Sequence, residues 1–157
     1  MKPGSSERIK TALAALLLLT FVAWFFLPFL LDRALVAERD AFSSLLPMKA
    51  FLGRALRAGV FPWWNPAPGL GKPFFAEWNT AVLYPPSALL AIAPLSRGAN
   101  AFFVFHLAAT GLGALLFLRA IGVEPIAALF GALVWTCGGP LLSLGHLVNH
   151  LAAIAWL

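Results

Sequence analysis

Residues 11–31, TALAALLLLTFVAWFFLPFLL, carry no charged side chain. At about 1.5 Å of rise per residue, a helix over this stretch is roughly 31 Å long, which matches the hydrocarbon core of a bilayer. In water it would expose leucine and phenylalanine on every face, so lipid is the solvent it suits. Residues 99–118 and 126–144 form two further apolar blocks, and another begins at 151 and runs to 157. The predicted fold class is all-α: polytopic transmembrane helices over 11–31, 99–118 and 126–144, with the start of a further one at 151–157. Residues 1–157 then form the N-terminal part of one polytopic membrane domain, because a run of seven residues cannot span by itself.

Composition agrees. Apolar and aromatic residues make up 61% of the chain and charged residues 11%, against about 25% charged in an ordinary soluble domain, which leaves too little polar surface for a water-facing shell. The formal charge of +5 comes from 11 Lys and Arg against 6 Asp and Glu, and these residues cluster outside the apolar blocks. Anionic membrane lipids are the electrostatic partner expected. Nucleic acid is excluded, since no soluble module carries a basic stripe interleaved with stacking aromatics. One cysteine, Cys137, excludes an internal disulfide. Lys2, Arg8 and Lys10 precede the first block like a secretory leader, but the apolar run is too long and lacks a small-residue cleavage site. A retained signal anchor with a cytoplasmic N-terminus is predicted.

Between the first two blocks lies a long outer loop, residues 32–86. Its first part contains an amphipathic helix at 47–58, with Met48, Phe51, Leu52, Ala55 and Leu56 on one side and Lys49, Gly53, Arg54 and Arg57 on the other. Pro47 suits the first turn and Gly59 the C-terminal cap. Its second part, FPWWNPAPGLGKPFFAEWNTAVLYPP from Phe61, holds six prolines and three tryptophans, and is predicted to be an ordered irregular loop settled at the membrane interface. Residues 87–94 are apolar but too short to span, and read as an interfacial turn. The loop also carries Arg33, Arg39, Lys49, Arg54, Arg57 and Lys72, against a simple positive-inside count, although long segments translocate with little regard for charge. Small residues at Ala109 and Gly113, and at Ala127 and Gly131, have the spacing of close helix contacts. Gly138, Gly139 and Pro140 should interrupt the third helix.

The stretch GVFPWWNPAPGLGKPFFAEWNTAVLYPP, preceded by an amphipathic helix and an acidic residue, resembles the bacterial YfhO-like membrane proteins. The resemblance runs through Gly59, Pro62, Trp64, Asn65, Pro66, Gly71, Pro73, Tyr84 and Pro85, and GHLVNHLAAIAWL looks like the family's entry into its next helix. Family members are similar to GT-C glycosyltransferases, which move sugars from polyprenyl-phosphate carriers to cell-envelope acceptors on the outer face. The resemblance therefore implies a multi-pass protein of the bacterial inner membrane, a polyprenyl-phosphate-linked sugar as partner, and Asp40 as catalytic base. Glu77 stands where the family often has Gln.

Each candidate has a plainer alternative. A carboxylate that takes the acceptor's proton is needed for glycosyl transfer, but Asp40 also lies in DRALVAERD, a stretch that reads equally as the solvated flank of the first helix. Glu77 is a candidate second carboxylate or metal ligand, or a surface partner of Lys72. Lys49, Arg54 and Arg57 suit a donor phosphate, and equally any anionic head group. Trp64 and Asn65 join the expected substrate-binding set through the resemblance. His146 and His150 have i, i+4 spacing, but no Glu follows His146, so the His-Glu-x-x-His metal pattern is absent. His146 is kept as a substrate-binding candidate, and the cofactor, including any divalent metal, is left open. His106 should face protein or a cavity. PAPGLGKP is no phosphate loop, because Pro66 and Pro73 replace residues that motif needs. A transporter or flippase of lipid-linked precursors and a noncatalytic membrane scaffold are the alternative functions.

Overall fold

The computed structural model describes residues 5–31, 33–35, 41–92 and 94–156, with the backbone alone at 146 and 148. The described chain is mostly helical: α1 (Ser5–Phe25), α2 (Leu27–Leu30), α3 (Leu46–Arg57), α4 (Leu95–Ala120), α5 (Pro125–Thr136), α6 (Gly139–Leu142) and α7 (Val148–Ile154). It forms two compact units, one of Met1–Leu27, Val104–Leu144 and His150–Leu157, the other of Pro28–Phe103 and Gly145–Asn149. By length and composition, α1 and α4 are each able to cross a membrane, and the chain is membrane-associated.

The first unit is held by three stripes of residues four apart. Ala14, Leu18 and Val22 of α1 are buried, as are Leu107, Gly111 and Leu115 of α4 and Ala128, Ala132 and Thr136 of α5. Side chains four apart share one helix face, so each stripe is a seam. At Gly111 the helices approach so closely that an added Cβ would meet the Thr136 hydroxyl and the Leu18 side chain, whereas Gly113 faces open space. The expected small-residue contacts are therefore shifted in phase: Gly111, Ala128 and Ala132 pack, while Gly113 and Ala127 are exposed. Gly131 does approach Leu118.

At one end of this unit the Arg119 guanidinium donates to Thr11 Oγ1 at 2.9 Å and to Glu7 Oε2 at 3.0 Å, and also bonds the Val123 carbonyl. The start of α1 and the end of α4 are thereby tied together, as in an antiparallel helix pair. After α4, the amide of Gly122 bonds the Arg119 carbonyl and that of Val123 the Leu118 carbonyl. This paired closure is the usual glycine-terminated helix end, with Gly122 at φ 89°.

Element boundaries differ from those expected. Helix α1 begins at Ser5 rather than at 11 and, with α2, ends at Leu30, because helical hydrogen bonding continues through Glu7 and Lys10 where the apolar block does not. Helix α4 is likewise longer than 99–118 at both ends. The third block, 126–144, is broken at the glycines and proline expected to interrupt it: α5 stops at Thr136, and the chain bends by 40° before continuing. Pro140 has no amide to donate, and a side chain at Gly138 would strike the Val134 carbonyl. Helix α7 starts at Val148, ahead of the 151–157 run.

In the second unit a turn with π-type hydrogen bonding, Ala41–Leu45, leads into α3. Helix α3 closes as α4 does, with Gly59 bonding Leu56 and Val60 bonding Ala55. The loop after it is not wholly irregular. Strands β1 (Trp64–Asn65) and β2 (Lys72–Pro73) pair antiparallel, Trp64 opposite Pro73 and Asn65 opposite Lys72. Short 3-10 helices follow at Trp78–Thr80 and Pro85–Ala91, the latter overlapping the segment 87–94 expected to be an interfacial turn. Gly53 lets α3 close on the Leu90 carbonyl, and Phe51 of α3 lies on the buried Phe74 ring, centroids 4.7 Å apart.

Thr136 already donates to the Ala132 carbonyl at 2.7 Å, so it yields to a methyl at position 111 only by breaking that bond. Gly111→Ala is expected to lower the thermal midpoint of the detergent-solubilised protein by several degrees, the consequence of about 1–3 kcal/mol of overpacking. Gly113→Ala should leave the midpoint unchanged or raise it, since alanine favours helix and meets nothing there. Equal effects at the two positions would contradict the seam.

Candidate functional site

The second unit contains a cavity of about 340 Å³, lined by Phe51, Arg54, Ala55 and Ala58 of α3 and its end, and by Val60, Phe61, Pro62, Trp63 and Trp64 of the segment that follows. Its wall is built by local geometry. The closure at Gly59 turns the chain back along α3, and the Trp63 carbonyl then accepts from the Phe74 amide at 2.8 Å. Rings of Phe61, Trp63 and Phe75 consequently pack together, with centroids 4.4 to 5.4 Å apart. The result is an aromatic wall with one cation, Arg54, which is exposed and, among the described residues, has no carboxylate partner. A guanidinium beside ring faces suits a ligand with an anionic group and an apolar or sugar face.

Of the expected site residues, Arg54 and Trp64 come together in this cavity. Arg57 instead donates from Nη1 to the Ala91 carbonyl at 3.3 Å, bracing α3 against the Pro85–Ala91 turn. Asn65 is buried, and its Oδ1 accepts from the Ala67 amide at 3.1 Å, which shapes the hairpin turn. A carboxylate oxygen of Glu77 lies 2.7 Å from the Lys72 ammonium, the pairing that is its plainer alternative in the sequence. That oxygen makes no hydrogen bond of good geometry, and the contact is close in charge but poorly aligned. Asp40 lies outside the described residues, as does the His146 side chain. His150 is exposed and His106 is buried. Among the described residues no three His, Cys, Asp or Glu side chains gather closely enough to hold a metal.

Lys49 departs most from the sequence pattern. Expected on the polar side of the amphipathic helix, it is only 2% exposed, and Gly53 is buried beside it. Its ammonium donates to the carbonyls of Asn79 and Thr80, both at 3.3 Å, and stands over the Phe102 ring, 5.6 Å from its centroid. The Asn79 carbonyl also accepts from Asn149 Nδ2 at 3.0 Å. This node fixes the turn from which Ala81 departs with φ 55°, a left-handed conformation braced by Ser87 Oγ donating to the Ala81 carbonyl. No periodicity identifies such a lysine, because its partners are main-chain atoms 30 and 31 residues away. Phe61 and Trp63 also line the site without standing out as binding residues in the sequence, although alternate aromatics just before a strand are a readable signal.

Comparison with known protein families, with curated proteins and with solved structures finds no match to this chain.

Burial pushes the Lys49 ammonium down to about 8 from the usual 10.5, since a charged group loses hydration there. The folded chain therefore releases this proton at lower pH than the unfolded chain, and the penalty on the fold is relieved as pH rises between those values. Thermal midpoints of the detergent-solubilised protein should climb across pH 8 to 10.5 relative to those of Lys49→Met, which has no such group. Parallel curves for the two proteins would show that the ammonium is hydrated in the folded state.

Proposed function

We propose that this chain acts as a membrane glycosyltransferase of GT-C type, which transfers a sugar from a polyprenyl-phosphate carrier to a cell-envelope acceptor on the outer face of the bacterial inner membrane. The observation that carries the reading is the Arg54 guanidinium, without a carboxylate partner among the described residues, on an aromatic cavity in a chain that also has two membrane-length apolar helices. Arg54 meets the donor's phosphate, and the ring faces of Trp63, Trp64 and Phe61 meet the sugar or the first isoprene unit. Asp40, in the YfhO-like pattern, takes the proton from the acceptor hydroxyl while its oxygen bonds to the anomeric carbon and the carrier phosphate leaves. The N-terminus is cytoplasmic in this scheme, so the loop after α1 faces outward. The bend between α5 and α6 favours a second reading, transit of the same lipid-linked precursor without chemistry.

Binding of a polyprenyl phosphate to the purified protein should weaken at least tenfold in Arg54→Gln, about 1.5–3 kcal/mol for a hydrogen bond to a charged group. The corresponding polyprenol, which lacks the phosphate, should bind both proteins alike. Unchanged phosphate binding removes the cavity from the proposal. Asp40→Asn should retain binding and lose glycosidic product. A parent protein that moves labelled carrier across vesicles and forms no product is a transporter.

A further inference from the structure

The hairpin between β1 and β2 ends in a turn that is built to be rigid. Asn65 Oδ1 accepts from the Ala67 amide, the Gly71 amide donates to the Pro68 carbonyl at 2.8 Å, and Pro66 and Pro68 fix two further φ angles. Gly71, at φ 88°, lies directly against the Trp64 indole, where a Cβ would not fit. This frame holds Leu70 at the tip with 102% of its surface exposed, beside a half-exposed Trp64. A floppy loop would fold such a leucine back onto the protein. Here the turn geometry keeps it out, in a hairpin that also carries the Trp64 indole and Lys72, whose ammonium lies 2.7 Å from a Glu77 carboxylate oxygen.

We propose that this tip is a membrane-docking element, with Leu70 inserted among the acyl chains and Trp64 and Lys72 in the headgroup layer of the leaflet. A lipid surface is the occupant the observations favour. The chain carries two helices of membrane length, so a lipid surface is a partner its own composition supplies. Indole rings concentrate at the boundary between headgroups and acyl chains, and a lysine stem can lie along apolar material while its charge stays in water. The sequence around the tip, PAPGLGKP, then has a use that its rejected likeness to a phosphate loop leaves unfilled. The docking shares Trp64 with the wall of the Arg54 cavity, but the depth of the Leu70 tip is read separately from what that cavity binds.

The test places a nitroxide at Leu70→Cys in a Cys137→Ser background, with the whole protein in vesicles of phosphatidylethanolamine and phosphatidylglycerol. Leu70 is fully exposed, so the label leaves the fold intact. Collisions with oxygen should exceed those with a water-soluble nickel chelate several-fold, as they do for labels below the headgroups. Nickel accessibility equal to that of a label in bulk water would overturn the proposal. So would dipolar broadening that disappears on dilution with unlabelled protein, which would give the tip to a second copy of the chain. Insertion of the tip together with unaltered phosphate binding in Arg54→Gln would sink the glycosyltransferase reading of the cavity and leave this one standing.

Discussion

A backbone amide in hydrocarbon has no water to turn to, and every other feature of the first unit follows from that constraint. Helices satisfy their own amides, so apolar blocks become helices whatever their individual propensities. Lipid is as apolar as leucine, and no hydrophobic gain draws one such helix to another. Cohesion must come from close packing and from polar contacts. Both are present: the seam at Gly111, Thr136 and Leu18, and the Arg119 guanidinium shared between Glu7 and Thr11. The chain bends where the constraint is locally relaxed, at the glycines and proline after α5.

The second unit solves a different problem, which is how to order a segment with too many prolines for regular structure. Main-chain groups of the loop are met by side chains instead: Asn65 in the hairpin turn, Ser87 at Ala81, and Lys49 and Asn149 on the Asn79 carbonyl. Helix α3 serves both purposes of the unit. Its buried side carries Lys49 and Gly53 against the loop, and five residues beyond Lys49 it presents Arg54 to the aromatic cavity. The positive charge that sits awkwardly in this segment by simple counting is partly accounted for by the fold, since Lys49 is internal and Lys72 is paired with Glu77.

The helical class is legible in the sequence because absence of charge is a strong and local signal, and so is α3, bracketed by Pro47 and Gly59. Helix ends are less so, because the edge of an apolar block marks where lipid contact stops and says nothing about where hydrogen bonding stops, as Glu7 and Lys10 inside α1 show. The packing phase of α4 and α5 escapes the sequence for a related reason. A helix apolar all round has no polar side to orient it, and only the three-dimensional seam distinguishes Gly111 from Gly113. Lys49 falls on the polar side by pattern because a cation normally does, and its carbonyl partners are invisible to any short-range signal. Arg54 and Trp64, singled out in the sequence, both line the cavity, whereas the cavity itself, made by rings folding back across Gly59, is not legible there. Asp40 rests on the likeness to YfhO-like proteins alone.

Alkaline carbonate extraction of membranes from cells making the protein tests the membrane assignment most directly, because it strips peripheral proteins and leaves spanning ones in place. The protein is predicted to remain in the pellet and to enter solution only with detergent. Its recovery in the carbonate supernatant would contradict α1 and α4 as membrane-crossing helices, and would remove the lipid solvent on which the account of the helix seams depends.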